Sequence, residues 1–167
     1  MLEPTLIELL HGKHAHADTI ACVEGLTPEQ AGRQIAGFPN SIWQLVFHMN
    51  YWMDYELKRI HDQHPAYPDH AVESWPSNPA PANEQEWTNA VVRFKTLIEK
   101  LEELAGSSSE VLHRNVETLH SSESRNSTSV VAVVWQTAVH NPYHIGQVAL
   151  MRRAFGAWPP QGGGDTW

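Results

Sequence analysis

Residues 129–155 read SVVAVVWQTAVHNPYHIGQVALMRRAF and lie within the longest segment of the chain without an acidic residue. Between Val130 and Met151 it contains no Asp, Glu, Lys or Arg, although several polar side chains interrupt the apolar ones. A helix that is apolar around most of its circumference lies at the centre of a bundle or at a subunit interface. The stretch is long enough to be considered as a membrane span, but its polar stripe and Pro142 argue against one. The pattern therefore predicts the central helix of a soluble bundle.

Two histidines in this stretch, His140 and His144, lie one helical turn apart. Because residues i and i+4 share a face of a helix, both imidazoles can direct a nitrogen at one point. That geometry suits a divalent metal ion, but the spacing also fits two core histidines that bond to their neighbours. A metal site would need a third ligand from elsewhere in the chain.

Three further segments have apolar residues at helical spacing, namely 5–24, 41–60 and 84–105. Cap sequences at 27–30, 41–44 and 83–86 predict helix starts. Residues 61–82 are rich in Pro, His, Asn and Ser, which predicts a long loop. Together with 129–155, the three segments predict an all-α, antiparallel four-helix bundle. We expect a single domain over 1–167, with an irregular tail at 156–167 in which Trp158 and Trp167 pack on the protein.

A short amphipathic helix is predicted at 110–120, with Leu112, Val116 and Leu119 facing inward. The opposite face of this helix would carry two Glu-x-x-His units, which are typical of carboxylate di-iron bundles. Those bundles need the units on different helices, so we expect these two to be solvated. These units are Glu110 with His113, and Glu117 with His120.

In the first predicted helix, His11 points away from the apolar face, so we expect it to be solvated. Lys13 falls near the middle of that face. It is interpreted either as a lysine whose stem packs while its charge reaches water, or as a cation that lines an internal pocket.

Composition and charge exclude several classes of protein. The formal net charge is −8, and no basic cluster is longer than Arg152-Arg153. Binding to nucleic acid is not expected, because phosphate contacts need clustered Lys and Arg. The single cysteine, Cys22, cannot form an internal disulfide and fits a reducing compartment. The first residues show no basic region followed by an apolar segment, so no signal peptide is predicted and the expected location is cytoplasmic.

Three segments resemble the DinB-like family of bundle proteins, namely SIWQLVFHMNYW (41–52), AVHNPYHIGQVALMRR (138–153) and GAWPP (156–160). The resemblance covers most of the chain and is most specific in His48, His140, His144 and the pair Gly146-Gln147. It implies that His48, from the second helix, joins the HxxxH of the fourth to bind a divalent metal ion, commonly zinc or nickel. Pro142, between two of these histidines, departs from the usual fourth helix and removes one helical hydrogen bond.

Characterised relatives in that family include transferases and isomerases that depend on low-molecular-weight thiols such as bacillithiol, mycothiol and glutathione. Three neutral imidazoles leave a divalent metal with an open position, at which a water or a thiol loses its proton near neutral pH. The resemblance therefore implies a metal-dependent transferase that activates a thiol and acts on a small molecule. The alternatives are a metal-dependent hydrolase and a non-catalytic binding or stress-response protein in which the metal braces the bundle.

Further residues are expected around the metal, because partners of the ligands normally orient metal-bound imidazoles. For the tryptophan among them, the alternative is plain core packing, and for the tyrosines it is a dimer or surface contact. A cation such as Lys13 or Arg59 could hold a carboxylate of a thiol substrate. The candidates for orienting the ligands are Gln44, Gln136 and Gln147, and those for the pocket wall are Tyr51, Trp52 and Tyr143.

The apolar circumference of the last helix also predicts a homodimer, as the resemblance does. A monomeric bundle can cover only part of such a helix. Trp135, Ala138 and Ala149 face away from the histidine stripe, and they could pack either on other helices or across the interface.

Overall fold

The computed structural model describes residues 3–13, 15–119 and 125–161. Four long helical units form the bundle, at 3–23, 42–60, 84–105 and 130–154. This confirms the predicted all-α bundle. The helices are α1 (Glu3–His11), α2 (Thr19–Val23), α3 (Pro28–Ala31), α4 (Ile42–Ile60), α5 (Glu84–Ala105), α6 (Ser109–Leu112) and α7 (Val130–Ala154). A short 3-10 helix (Ala71–Ser74) precedes α5, and β1 (Asn115–Leu119) pairs antiparallel with β2 (Arg125–Ser129) before α7.

The predicted helix starts are confirmed by their hydrogen bonds. At the start of α4, the Ser41 hydroxyl accepts from the Gln44 N–H, and the Gln44 side chain accepts from the Ser41 N–H. Thr27 and Gln30 form the same reciprocal pair at the start of α3. Asn83 caps α5 by accepting from the third N–H of that helix. These bonds are local in sequence, so the sequence alone places the helix starts.

α4 and α5 run in the same direction, so this pair is parallel, whereas the sequence predicted an antiparallel arrangement. Asn50 donates to the Ala90 carbonyl at 2.9 Å, and one turn further along both helices Asp54 pairs with Arg93 at 3.1 Å. The long connection between the helices makes this possible, because it returns the chain to the start of α4. There the Ser41 hydroxyl donates a hydrogen bond to the Pro79 carbonyl.

α7 runs antiparallel to α4. The rings of His48 and His144 lie 4.9 Å apart, while the later α4 residue Met53 accepts from the earlier α7 residue Asn141 at 3.2 Å. α7 therefore crosses the bundle core with its histidines beside the first half of α4. The buried core extends around this contact from α1 to the end of α7.

The prediction of one helix over 5–24 is wrong, because the chain breaks after His11. Gly12 has φ +74°, a left-handed conformation that ends helices, and the Asp18 carboxylate then caps α2 by accepting from Ala21. The prediction that His11 is solvated is also wrong. Its side chain is 17% exposed, and its two ring nitrogens contact Asp18 and Glu102. The break turns His11 toward α5, which the periodicity of the first helix could not show.

The predicted helix at 110–120 is also wrong, since α6 ends at Leu112 and β1 follows. Val116 is fully buried while Asn115 and Glu117 are exposed, which is the two-residue alternation of a strand. Pairing with β2 supplies the backbone hydrogen bonds that a helix would have provided.

The prediction that the two Glu-x-x-His units are solvated is confirmed for the residues that the structure describes. Glu110, His113 and Glu117 are exposed, and His120 lies outside the described residues. In the tail, Trp158 packs against the core, whereas Trp167 also lies outside them.

Arg152, in the last turn of α7, is a structural residue rather than a surface cation. It is 4% exposed, and its guanidinium donates to the Cys22 and Glu24 carbonyls at 2.8 Å and to the Ala157 carbonyl at 3.0 Å. Carbonyls at the end of a helix lack partners within that helix. Arg152 therefore ties the end of α2 and the start of the tail to α7.

Replacing Arg152 with Met should lower the free energy of unfolding by about 3 kcal/mol, because buried carbonyls lose charged donors. Chemical denaturation followed by circular dichroism measures this loss. Arg153→Met is the matched control, since Arg153 is exposed and only lies over the Trp158 ring at 4.7 Å. Equal losses in the two variants would contradict the structural role of Arg152.

Candidate metal centre

Three histidines from two helices converge in the bundle. His48 comes from α4, and His140 and His144 come from α7, with one candidate ligand nitrogen of each lying within 4.8 Å of the others. The ring centroids are 5.2 Å (His48–His140), 4.9 Å (His48–His144) and 4.7 Å (His140–His144) apart. α7 remains helical through Pro142, so the two histidines of the HxxxH keep their one-turn spacing.

All three imidazoles are held in the neutral form. Burial, with the neighbouring imidazoles, lowers the pKa of His48 to about 3 and that of His144 to about 4. Burial also lowers the pKa of His140. At neutral pH each ring therefore keeps a lone pair, and the neutral imidazole is the form that binds metals.

A serine fixes the orientation of the His48 ring. Nδ1 of His48 lies 3.0 Å from the Ser74 hydroxyl, which donates its own hydrogen to the Ala71 carbonyl at 2.8 Å. Because that hydrogen is already used, the hydroxyl accepts from Nδ1–H of His48. The lone pair is then on Nε2, available to a metal. Ser74 is itself buried and belongs to the short 3-10 helix.

The α7 histidines have weaker partners. Nδ1 of His144 lies 3.4 Å from the side-chain oxygen of Gln147, and Nδ1 of His140 lies 3.3 Å from that of Asn141. Gln147 thus lies where the sequence placed it, beside His144. Asn141, the next residue of α7 after His140, was not among the residues that the sequence predicted near the metal.

Aromatic rings surround the histidines. Trp75 stacks on His48, with centroids 3.9 Å apart and planes 11° apart, and it meets His144 edge-on at 6.0 Å. Trp52 meets His48 edge-on at 6.4 Å, and Tyr143 meets His144 edge-on at 5.0 Å although it is 68% exposed. The sequence named Trp52 and Tyr143 but missed Trp75, which lies in the segment interpreted as a loop.

Two other candidates have different contacts. The Gln44 side chain caps α4 and donates to the Pro76 carbonyl at 3.2 Å, so its amide binds the 61–83 connection rather than a histidine. Tyr51 meets Trp52 edge-on at 5.4 Å. Both residues therefore lie one layer away from the histidines.

A cleft of about 370 Å³ opens beside His140. Its volume is within the range of small-molecule sites. Lys13 is exposed and does not line it, whereas Arg59 does. A larger groove of about 1010 Å³ runs between α2, α3 and the start of α5, and none of the three histidines lines it. The lining of the smaller cleft is Trp52, Glu56, Arg59, Tyr67, Thr128, Gln136, Thr137 and His140.

The donor set is chemically simple. Within the part of the chain that the structure describes, no carboxylate or cysteine joins the three histidines. Three neutral ligands do not neutralise a divalent ion, and they leave at least one coordination position open. Such sites are of the catalytic type, since structural zinc usually has four protein ligands.

A model of the DinB superfamily matches residues 12–148, a range that contains all three histidines. No curated protein matches the chain. Among the helices that the structure describes, none is both long enough and apolar enough to cross a membrane.

Proposed function

Because the chain belongs to the DinB superfamily, we propose that His48, His140 and His144 bind one divalent metal ion and that the protein transfers a low-molecular-weight thiol to a small electrophile. The observation that supports the proposal is the meeting of three neutral imidazoles beside a cleft of ligand size. A divalent ion held there would lower the pKa of a thiol in its open position to near neutrality.

The three nitrogens fit such an ion. Ligand atoms at 2.0–2.1 Å from a tetrahedral zinc lie about 3.3 Å from one another. The candidate nitrogens already lie within 4.8 Å, so modest side-chain rotations bring them to that spacing. Imidazole nitrogen suits zinc and nickel, and these are the metals we propose.

Residues around the histidines would prepare the site for chemistry. Trp75 covers one face of His48 and keeps water from that side of the ring. Trp52, whose centroid lies 5.8 Å from that of Tyr67, offers an aromatic wall to a ligand in the cleft. Gln136 and Thr137 supply polar groups to the same cleft. Together they would hold an electrophile next to the open position.

The competing functions are a hydrolase, in which water takes the place of the thiol, and a non-catalytic protein braced by the metal. The open three-nitrogen donor set supports either enzyme over the bracing role, since a brace needs no open position. Loading the protein with cobalt separates the three functions. A thiol that enters the open position adds a sulfur ligand and changes the cobalt absorption spectrum.

We expect at least one of bacillithiol, mycothiol and glutathione to change the cobalt spectrum, and the rate of conjugation to an electrophile to rise with pH around neutrality. The His140→Ala variant, treated with the same cobalt salt, is the control. Cleavage of esters or amides without any spectral response to thiols would indicate the hydrolase. If neither a spectral response nor cleavage is found, the non-catalytic protein braced by the metal is the remaining function.

The proposal includes a homodimer formed through α7. Four large apolar residues on this helix are exposed: Trp135 (56%), Val139 (51%), Tyr143 (68%) and Leu150 (57%). Their spacing places them along one face, and monomers rarely expose a contiguous apolar patch of this kind. Ala138 is buried against its own bundle and Ala149 is half-buried, so Trp135 is the better interface candidate.

Sedimentation velocity at tens of micromolar should show a dimer for the wild type and a monomer for Trp135→Lys. Val92→Lys is the matched control, because Val92 is an equally exposed residue (55%) but lies on α5, away from the exposed apolar face of α7. A wild-type protein that sediments as a monomer would contradict the dimer.

A further inference from the structure

An ion pair lines the cleft beyond Trp52. Nη1 of Arg59 lies 2.7 Å from the Glu56 carboxylate, and the two side chains are 8% and 13% exposed. Nε of Arg59 also reaches the Glu117 carbonyl at 3.4 Å. Both charged groups line the same cleft as His140. From the helical rise, they lie about 12 and 16 Å along α4 from His48.

The pair does not form a simple site for an anion. Glu56 cancels the charge of Arg59, so a lone carboxylate that approaches the guanidinium meets a second carboxylate at similar distance. A group that carries an ammonium and a carboxylate on one carbon matches both members. Within the described residues, Nη2 of Arg59 and Oε1 of Glu56 have no hydrogen-bond partner, so each can take one half of such a group.

We propose that Glu56 and Arg59 form a subsite for an amino-acid head group, with Glu56 accepting from its ammonium and Arg59 donating to its carboxylate. This inference rests on the proposed function for the other end of the ligand, which is a thiol at the three histidines. The ligand class is then a small thiol whose sulfur and amino-acid head are far apart.

The separation of Glu56 and His48 along α4 distinguishes thiols by their length. Seven bonds separate the sulfur of a γ-glutamylcysteine unit from the α-carbon of its glutamyl head, and they extend about 9 Å. With the metal–sulfur bond and the final hydrogen bond, this length covers the rise of about 12 Å along α4 between His48 and Glu56. Cysteine has only two such bonds and cannot occupy both ends. The pair therefore favours a γ-glutamyl thiol over cysteine.

Three matched thiols test the subsite in the cobalt-loaded protein. Glutathione carries both charges on its head, glutaryl-cysteinylglycine lacks the ammonium, and 4-aminobutanoyl-cysteinylglycine lacks the carboxylate. Each analogue should need about ten-fold or more higher concentration than glutathione to change the cobalt spectrum, since each loses a charge-assisted hydrogen bond. Equal concentrations for the three thiols would overturn the subsite.

Variants assign each half of the head group. Glu56→Gln should remove the preference for glutathione over the glutaryl analogue. Arg59→Met should remove the preference for glutathione over the aminobutanoyl analogue. Lys58→Met, which breaks the partly exposed Asp54–Lys58 pair on the same helix, should leave both preferences unchanged. A merely structural pair would weaken all three thiols alike and leave the preferences intact, which would also overturn the subsite.

A ligand without a thiol separates this inference from the proposed function. Calorimetric titration with S-methylglutathione measures binding of the head group alone, and Glu56→Gln should weaken it. If that dependence is found but no thiol changes the cobalt spectrum, the subsite stands and the thiol-transfer function fails. If thiols change the spectrum but S-methylglutathione binds wild type and Glu56→Gln alike, the function stands and the subsite fails.

Discussion

Replacement of His140 with Ala is expected to abolish binding of the metal ion, reducing the content from one ion per chain to nearly none after dialysis. Only two of the three nitrogens would remain, and two imidazoles hold a divalent ion poorly against water. Elemental mass spectrometry of the purified protein measures the content. His48→Ala and His144→Ala should behave in the same way, because all three nitrogens lie within 4.8 Å of one another.

His61→Ala and His64→Ala are the matched controls, since both histidines are exposed and neither belongs to the cluster. They should retain one ion per chain. His11→Ala should also retain the ion but lose stability, because His11 bridges Asp18 and Glu102. Full metal content in His140→Ala would show that the three histidines are not the ligands.

The same nitrogens determine how pH affects the site. Because the pKa of His48 is about 3 and that of His144 about 4, protons should compete with the metal only in acid. In the unfolded chain these histidines bind protons below about pH 6.5. The metal-free protein should therefore lose stability as pH falls from 6.5 toward 4, since the unfolded state takes up the protons that the folded site excludes.

The sequence predicted the parts of the fold that local chemistry determines. The caps at Ser41 and Thr27 are bonds between residues three apart, so they need no information about the rest of the molecule. The HxxxH of α7 places two rings on one face by helical geometry alone. His48 could be joined to them only on the assumption that the second and last helices are neighbours, which the family resemblance supported, because its distance from α7 depends on how the helices pack.

The failures share a different origin. Leu112, Val116 and Leu119 are spaced as on a helix, but NVETL also alternates, and its partner strand RNSTS is polar and has no strand signal of its own. Pairing between the two strands favours the strand over the helix here, since a strand gains its hydrogen bonds only from a neighbouring strand. Periodicity in a single segment cannot include that neighbour.

Ser74 and Trp75 were missed for a related reason. They lie in a segment rich in proline and polar residues, which has no periodic pattern that assigns one of them to a site. The connection acquires its position through contacts with the start of α4, including the bond from Gln44 to the Pro76 carbonyl. Those contacts bring Ser74 and Trp75 to His48, so tertiary structure rather than local sequence completes the surroundings of the three histidines.

Loss of the Ser74 hydroxyl is expected to weaken metal binding by about ten- to a hundred-fold, the usual effect of removing a partner that orients a ligand histidine. In Ser74→Ala, Nδ1–H of His48 has no acceptor at 3.0 Å, so the ring can rotate and its tautomer is no longer fixed. Competition with a chelator of known affinity measures the change. Ser77→Ala, an exposed serine in the same connection, is the matched control.

Metal content in excess metal should stay at one ion per chain in Ser74→Ala, because all three ligand nitrogens remain. This separates the variant from His140→Ala, in which a ligand itself is lost. The helical circular dichroism signal should also be unchanged, since the hydroxyl's other bond is to the Ala71 carbonyl within the same 3-10 helix. Equal chelator-determined affinities for wild type, Ser74→Ala and Ser77→Ala would show that Ser74 does not orient His48, and that the rigid stacking of Trp75 on that ring is sufficient to hold it.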